Sequence, residues 1–269
     1  MSLQPTSRDW RLALLDISRS AAGWHIWALL GLNDVRLRYK RSRFGQLWIT
    51  LSTAIFIAGI GVVYGGLFHH NVRDYIPFLA VNMTVWTLIS GSISDGAMTF
   101  IEASSYMKQD ALPKTSFVMR IMVRNIVAFA HNLIIIPFVF LLFGIVPSPV
   151  AFLAIPGFML LLIAVFLMVL SLGILCTRFR DLPQIVANIM QLAFFVTPIM
   201  WQMDQLGDRA EYIKIFNPFA AFLQIVSEPV QGRVPGSETY LAAFIYLALL
   251  SLVAWPLFAR FRSRIVYWL

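Results

Sequence analysis

The stretch Ala151-Phe-Leu-Ala-Ile-Pro-Gly-Phe-Met-Leu-Leu-Leu-Ile-Ala-Val-Phe-Leu-Met-Val-Leu-Ser-Leu-Gly-Ile-Leu-Cys176 runs 26 residues without a charge. As a helix rising 1.5 Å per residue it reaches about 39 Å, more than the roughly 30 Å of a bilayer's hydrocarbon core. Five further apolar runs, at about 46–68, 76–100, 121–143, 185–203 and 239–259, are each at least 19 residues long. Lipid offers no partner to an unpaired backbone group, so helices are the expected form of all six. The fold class expected is all-α, a polytopic integral membrane protein with six transmembrane helices forming a single domain over 1–269. An even number of spans puts both termini on one side.

Composition agrees, with 59% hydrophobic and 13% charged residues and a mean hydropathy of +0.76. Soluble domains carry about 25% charged residues, so a soluble enzyme and a disordered chain are both excluded. The net charge of +8 comes from basic residues at the ends of apolar runs, not from an aromatic-interleaved basic domain, which argues against nucleic acid. Cys176 is the one cysteine, so no intrachain disulfide or cysteine-based zinc site can form; it is expected to pack near a helix end. In the first 45 residues the longest apolar piece is Ile26 to Leu32, too short for a secretory signal, and the amino terminus is expected to stay in the cytoplasm.

Lys and Arg set the orientation. Eight lie in the amino-terminal segment, four from the loop after span 2 to the inner start of span 3, two between spans 4 and 5 and three after span 6. Those seventeen face four on the other side, Arg73, Arg209, Lys214 and Arg233, so both termini are expected inside. Residues 24–40 can form an interfacial helix with His25, Asn33, Arg36 and Lys40 on one side and Trp24, Trp27, Leu30 and Val35 roughly opposite; a plain solvated lead-in is the alternative. Asp34 and Arg38 interrupt its apolar face. The inner loop from Ile101 to Arg120 carries a helical piece that Pro113 must end. In the outer loop 204–238, the apolar stretch 212–226 is too short to span and is broken by Asn217 and Pro218. It reads as one or two re-entrant half-helices before the last span, with a seventh span as the alternative.

Candidate chemistry is sparse. His69, His70 and Asp74 make a weak metal signal beside the reading of an exposed loop pair. His131 and Asn132, inside span 3, point to hydrogen bonds between helices or to function. Asp95 and Arg124 sit at matching depths in spans 2 and 3 and are expected to pair, as a structural bridge or as part of transport. Thr84, Thr87, Gly91 and Ser94 align on span 2, and Ala54, Ala58, Gly61 and Gly65 on span 1, the latter suited to close helix contact. Asn188, Gln191, Phe194 and Phe195 on span 5 offer the amides and aromatics of a sugar path, although packing explains them too. No G-x-x-x-x-G-K-[ST] motif occurs, so any ATPase must be another chain. Of the carboxylates only Asp95 lies clearly inside a span, which argues against proton or sodium coupling.

The run Asp34-Val-Arg-Leu-Arg-Tyr-Lys-Arg-Ser-Arg-Phe-Gly-Gln-Leu-Trp48 resembles the signature of permease subunits of polysaccharide-exporting ABC transporters, type-2 exporter class. Leu112-Pro113-Lys114, Arg124-Asn125, His131-Asn132-Leu133, Arg180-Asp181, Thr197-Pro198-Ile199 and Asn217-Pro218-Phe219 follow in the same order. The tail from Arg260 to Leu269 resembles the O-antigen branch.

The resemblance implies a homodimer with two copies of an ATP-binding subunit, which carry ATP and Mg, while this chain holds no cofactor or metal and is not itself an enzyme. It implies export of undecaprenyl-diphosphate-linked polysaccharide across the bacterial inner membrane. Glu102, Tyr106, Lys108, Asp110, Pro113 and Lys114 would form the ATPase coupling and gate segment. Asn217, Pro218 and Phe219 would form the outer gate, and spans 1 and 5 would border the path. Arg36, Arg38, Lys40, Arg41 and Arg43 stand where a lipid diphosphate would enter, or they fix topology and attract anionic lipid. Alternatives are a capsule, teichoic-acid, lipid or drug exporter of the same class, and a membrane-embedded acyl- or glycosyltransferase using His131.

Overall fold

The computed structural model describes residues 5–67, 71–109, 112–203, 207, 212–213 and 216–269. His69, His70, Asp110, Arg209 and Lys214 lie outside them. Among the described residues every regular element is a helix. Five segments are long and apolar enough to cross a membrane: Leu47–Gly66, Val72–Ala97, Lys114–Phe143, Pro149–Arg178 and Ser237–Trp268.

The chain opens with α1 (Ser7–Ala22), which the apolar periodicity did not announce. It begins with a reciprocal capping box between Thr6 and Asp9. Hydrogen bonds from the Thr6 backbone and hydroxyl hold the Asp9 carboxyl below its ordinary pKa. Helix α2 (Trp24–Tyr39) matches the predicted 24–40 helix, and it packs along α7 (Lys114–Asn132) instead of lying free. Its contact stripe includes buried Gly31 and Val35, while Trp24 and Leu29 stay exposed. A Cβ at Gly31 would stand 2.8 Å from the Arg120 carbonyl oxygen and from Val123, so glycine permits this approach.

Helices α3 (Leu47–Leu67) and α4 (Val72–Ala97) are the first two spans. Gly61 and Gly65 of α3 lie against Ile76 and Val72 of α4, as the small face suggested, while Ala58 is exposed. Helix α4 is the buried axis of the fold and touches α3, α7, α8 (Ile135–Phe143), α9 (Ala154–Arg178), α10 (Leu182–Val196) and α11 (Pro218–Val230). The inner loop is helical almost throughout, as α5 (Thr99–Glu102) and α6 (Ser104–Gln109). Span 3 begins at Lys114, seven positions before the predicted 121, and is interrupted between α7 and α8. Pro137 cannot donate to the Leu133 carbonyl, which accounts for the break at 133–134.

One expectation needs correction. The run 185–203 is not one span of that length: α10 stops at Val196, where Thr197 turns extended ahead of Pro198. Its 15 residues give about 22 Å, short of the hydrocarbon core. Asn217 separates helical residues on either side, Tyr212, Ile213 and Phe216 before it and α11 after it, with Asn217 as N-cap of α11 and Pro218 in its first turn. Helix α11 continues past Val226 to Val230 and is buried from Ala220 to Ser227. Span 6 is α12 (Ser237–Phe261), and the tail folds on as a short helical turn and α13 (Ile265–Trp268).

Candidate functional site

A charge network gathers at the end of the bundle where α1, α2, α5, α6 and the tail meet. Asp34 of α2 takes a bidentate pair from Arg120 of α7, with Nε to Oδ2 and Nη2 to Oδ1 both 2.6 Å. Arg124, one turn on, has Nη2 2.9 Å from Asp95 Oδ2 and Nη1 3.2 Å from Glu102 Oε2. Its Nη1 also lies 3.9 Å from Asp34 Oδ2. Asn125 Nδ2 donates to Asp95 Oδ2 at 3.0 Å, and the Arg120 guanidinium lies 5.4 Å from the Tyr106 ring centre. Three carboxylates thus face two guanidinium groups, joining α2, α4, α5 and α7. The Asp95 and Arg124 pairing was legible in the sequence; the Asp34 and Arg120 pair was not, although a charge interrupting an apolar face is a signal that a partner is needed.

A second anchor was missed. Asp16 of α1, 4% exposed, accepts from the backbone N–H of Lys114 and of Thr115 at 3.0 Å each and from Thr115 Oγ1 at 2.8 Å. It therefore caps α7 from another helix, since Pro113 gives α7 no side-chain cap of its own. Arg262 Nη1 pairs with Asp16 Oδ2 at 3.2 Å, tying in the tail. Lys108 Nζ reaches the Leu269 carbonyl oxygen at 3.4 Å, and Arg180 Nη2 donates to the Trp268 carbonyl at 3.1 Å. Glu102, Tyr106, Lys108, Pro113 and Lys114 are thereby brought into one assembly with α1, α2 and the tail.

Arg36, Arg38, Lys40, Arg41 and Arg43 are all exposed around the end of α2 and the turn into α3. On α10, Gln184, Asn188, Gln191 and Phe195 fall within about 60° at 100° per residue and are all exposed. Phe194 points elsewhere: it packs 6.1 Å from Trp86 and 6.4 Å from Phe56, centre to centre. The four residues expected to line a path therefore divide, with Asn188, Gln191 and Phe195 on an open face and Phe194 in an aromatic cluster.

The two proline breaks meet. Asn217 Nδ2 donates to Thr197 Oγ1 at 3.1 Å, and Asn217 Oδ1 accepts from the Phe219 and Ala220 N–H groups at 3.0 and 3.3 Å. Phe219 stands edge-on to Trp86, half way along α4, at 5.9 Å. The other end of α11 lies towards the start of α4: Val230 and Gln231 line a cavity with Asp74, Pro77 and Phe78, and Gln231 Nε2 donates to Asn82 Oδ1 at 3.2 Å. Helix α11 thus runs from mid-bundle outward. Asn217→Ala is expected to cost about 1–2 kcal/mol through the lost cap and the orphaned Thr197 hydroxyl, read as a lower midpoint of thermal unfolding in detergent.

Asn132 Nδ2 donates to Thr87 Oγ1 at 3.2 Å across helices, and the His131 carbonyl accepts from Thr50 Oγ1 at 2.9 Å. The His131 ring is tied to its own helix at one nitrogen, Nδ1 lying 2.8 Å from the Val127 carbonyl. Cys176 is buried. Among the described residues no group of His, Cys, Asp and Glu could hold a metal ion.

Comparison with known proteins places this arrangement. The family described as ABC-2 type transporter matches residues 27–229. The O-antigen export system permease protein RfbA of Klebsiella pneumoniae is 24% identical over 238 residues, covering 86% of this chain and 90% of that one. RfbA of Myxococcus xanthus is 23% identical over 241 residues, with 86% and 89% covered. The polysialic acid transport protein KpsM of Escherichia coli is 23% identical over 234 residues, with 83% and 87% covered.

Proposed function

The chain belongs to the ABC-2 type transporter family, and we propose on that basis that it is the permease subunit of an ATP-driven exporter of lipid-linked polysaccharide. The observation that carries the reading is similarity along nearly the whole chain to permeases named for O-antigen export. The likeness to a polysialic acid transport protein favours a capsule polysaccharide as the second reading.

In this reading the basic end faces the cytoplasm of a bacterial inner membrane and both termini lie there. The segment Glu102 to Lys114, fixed through Arg120, Arg124 and Asp16, meets an ATP-binding subunit, which brings ATP and Mg. Two copies of each chain form the exporter, α3 and the open face of α10 bordering the path between them. Six crossings result if α10 is completed by residues 197–203. Asn217, Pro218 and Phe219 then sit at the inner tip of a re-entrant segment that closes the outer half of the path. The deep Asn217 and the outward direction of α11 support that placement.

The five cations from Arg36 to Arg43 supply bidentate and point-charge donors at headgroup level for a lipid diphosphate. Replacing Arg36, Arg38 and Arg41 with Gln is expected to raise severalfold the glycolipid concentration giving half-maximal ATPase stimulation. Accessibility labelling must first show the amino terminus still inside, because the same charges help to set orientation. Unaltered stimulation in correctly oriented protein would reduce these residues to topology signals. The export reading itself is tested by deleting the gene: surface polysaccharide should disappear while its lipid-linked precursor accumulates inside. Normal surface polysaccharide would reject it.

A further inference from the structure

At the outer end of α4 and α11 the structure holds a polar cavity of about 90 Å³ that no part of the export reading uses. Four side-chain amides face it, Asn82 of α4, Gln224 of α11, and Gln202 and Gln231 of the loops on either side of α11, together with Trp201 and Arg233. A second cavity of about 320 Å³ shares Phe78, Gln202, Gln231 and Arg233 with it and opens it towards Asp74. At roughly 10–15 Å³ for one water-sized group, the smaller cavity alone admits several polar groups of a ligand.

The walls are organised before anything binds. Gln231 is held from both sides, its Nε2 donating to Asn82 Oδ1 at 3.2 Å and its Oε1 accepting from Arg233 Nη2 at 2.7 Å. The Trp201 indole is fixed by its Nε1, which donates to the Phe195 carbonyl at 3.0 Å. Gln224 is 5% exposed, and its Oε1 has no hydrogen-bond partner among the described residues. A buried acceptor left unpaired costs free energy, so a donor from a ligand or an ordered water is called for there.

The chemistry selects the ligand. An amide both donates and accepts, as a sugar hydroxyl does, and an indole face suits the C–H face of a pyranose. An anion is disfavoured, because the carboxylates of Asp74 and Glu228 stand in the walls of the two cavities. We propose that this cavity is a carbohydrate subsite, holding a neutral sugar unit of the polysaccharide as it leaves the outer end of the permease. The proposal takes its ligand from the export reading and adds a site to it.

The test uses the full chain with its ATP-binding subunit in lipid nanodiscs. The probe is lipid-free oligosaccharide released by mild acid from the surface polysaccharide of the producing cells, with saturation-transfer NMR as the binding readout. Wild type should give saturable transfer to the sugar protons. Gln224→Met and Gln202→Ala should each weaken it about tenfold, the expected loss of one good hydrogen bond, while glycolipid-stimulated ATP hydrolysis persists. The surface-loop variant Gln202→Ala guards against a folding defect in Gln224→Met. No transfer in wild type, with ATP hydrolysis still stimulated by the lipid-linked glycan, would leave export intact and make the cavity a water-filled vestibule. Binding unaltered in both variants would place the sugar elsewhere and overturn the subsite. Failure of both binding and stimulation would reject the export reading with it.

Discussion

Asp34→Ala is expected to destabilise the chain by about 3–5 kcal/mol, because it leaves the Arg120 guanidinium buried without its counter-charge. The two side chains are 12% and 15% exposed and their two hydrogen bonds are both 2.6 Å long, so solvent cannot compensate as it would at a surface bridge. The loss should propagate, since Asp34 Oδ2 also faces Arg124, which holds Asp95 and Glu102. A double variant, Asp34→Leu with Arg120→Met, removes both charges and should recover most of the stability, as apolar replacement of buried pairs often does. Thermal unfolding in detergent, followed by size-exclusion recovery, gives both numbers. An Asp34→Ala protein as stable as its parent would mean that α2 is held on α7 by packing alone. In the export reading the same variant should also separate ATP hydrolysis from transport, because α2 and α5 are joined through this network.

The second large effect is expected at Gly157. A Cβ there would overlap the Ile225 carbonyl oxygen and stand 2.9 Å from its carbonyl carbon, so α9 and α11 cannot keep their separation. Backbone gives way less readily than a side-chain tip, and Gly157→Val should cost about 3 kcal/mol or more, at or above the usual range for overpacking. Helix α11 would be pushed from the bundle along its buried length, Ala220 to Ser227. Gly157→Ala should lie between parent and valine in unfolding midpoint. An exporter carrying Gly157→Val that assembles, resists heat like the parent and exports normally would show that α11 has no fixed seat against α9.

These two sites mark where sequence reading stops. The long spans were legible because lipid demands unbroken apolar runs, and α4, α9 and α12 fall close to their predicted bounds. Asp95 and Arg124 could be matched because adjacent antiparallel spans share one depth scale. Asp34 and Arg120 could not, being 86 positions apart on helices whose mutual placement is a matter of tertiary packing. The same holds for Asp16, whose capping of α7 across 98 positions leaves no periodic trace. Some misses were avoidable. Thr6 and Asp9 have capping-box spacing, and Asn before Pro at a break between helical pieces is also the N-cap and first-turn pattern of the second piece, the role that Asn217 and Pro218 take. The early end of α10 was signalled by Thr197-Pro198, but mean hydropathy carries straight across it.

The central claim is that this chain, with an ATP-binding partner, carries lipid-linked polysaccharide from one face of a membrane to the other. The direct measurement is reconstitution of the co-purified complex in liposomes with the glycolipid confined to the leaflet on the ATPase side, followed by lectin binding at the opposite face. The account predicts lectin-accessible glycan that appears only with hydrolysable ATP and is absent when the ATPase cannot hydrolyse it. Glycan that stays inaccessible while the intact complex hydrolyses ATP would contradict it, and so would crossing at the same rate without ATP.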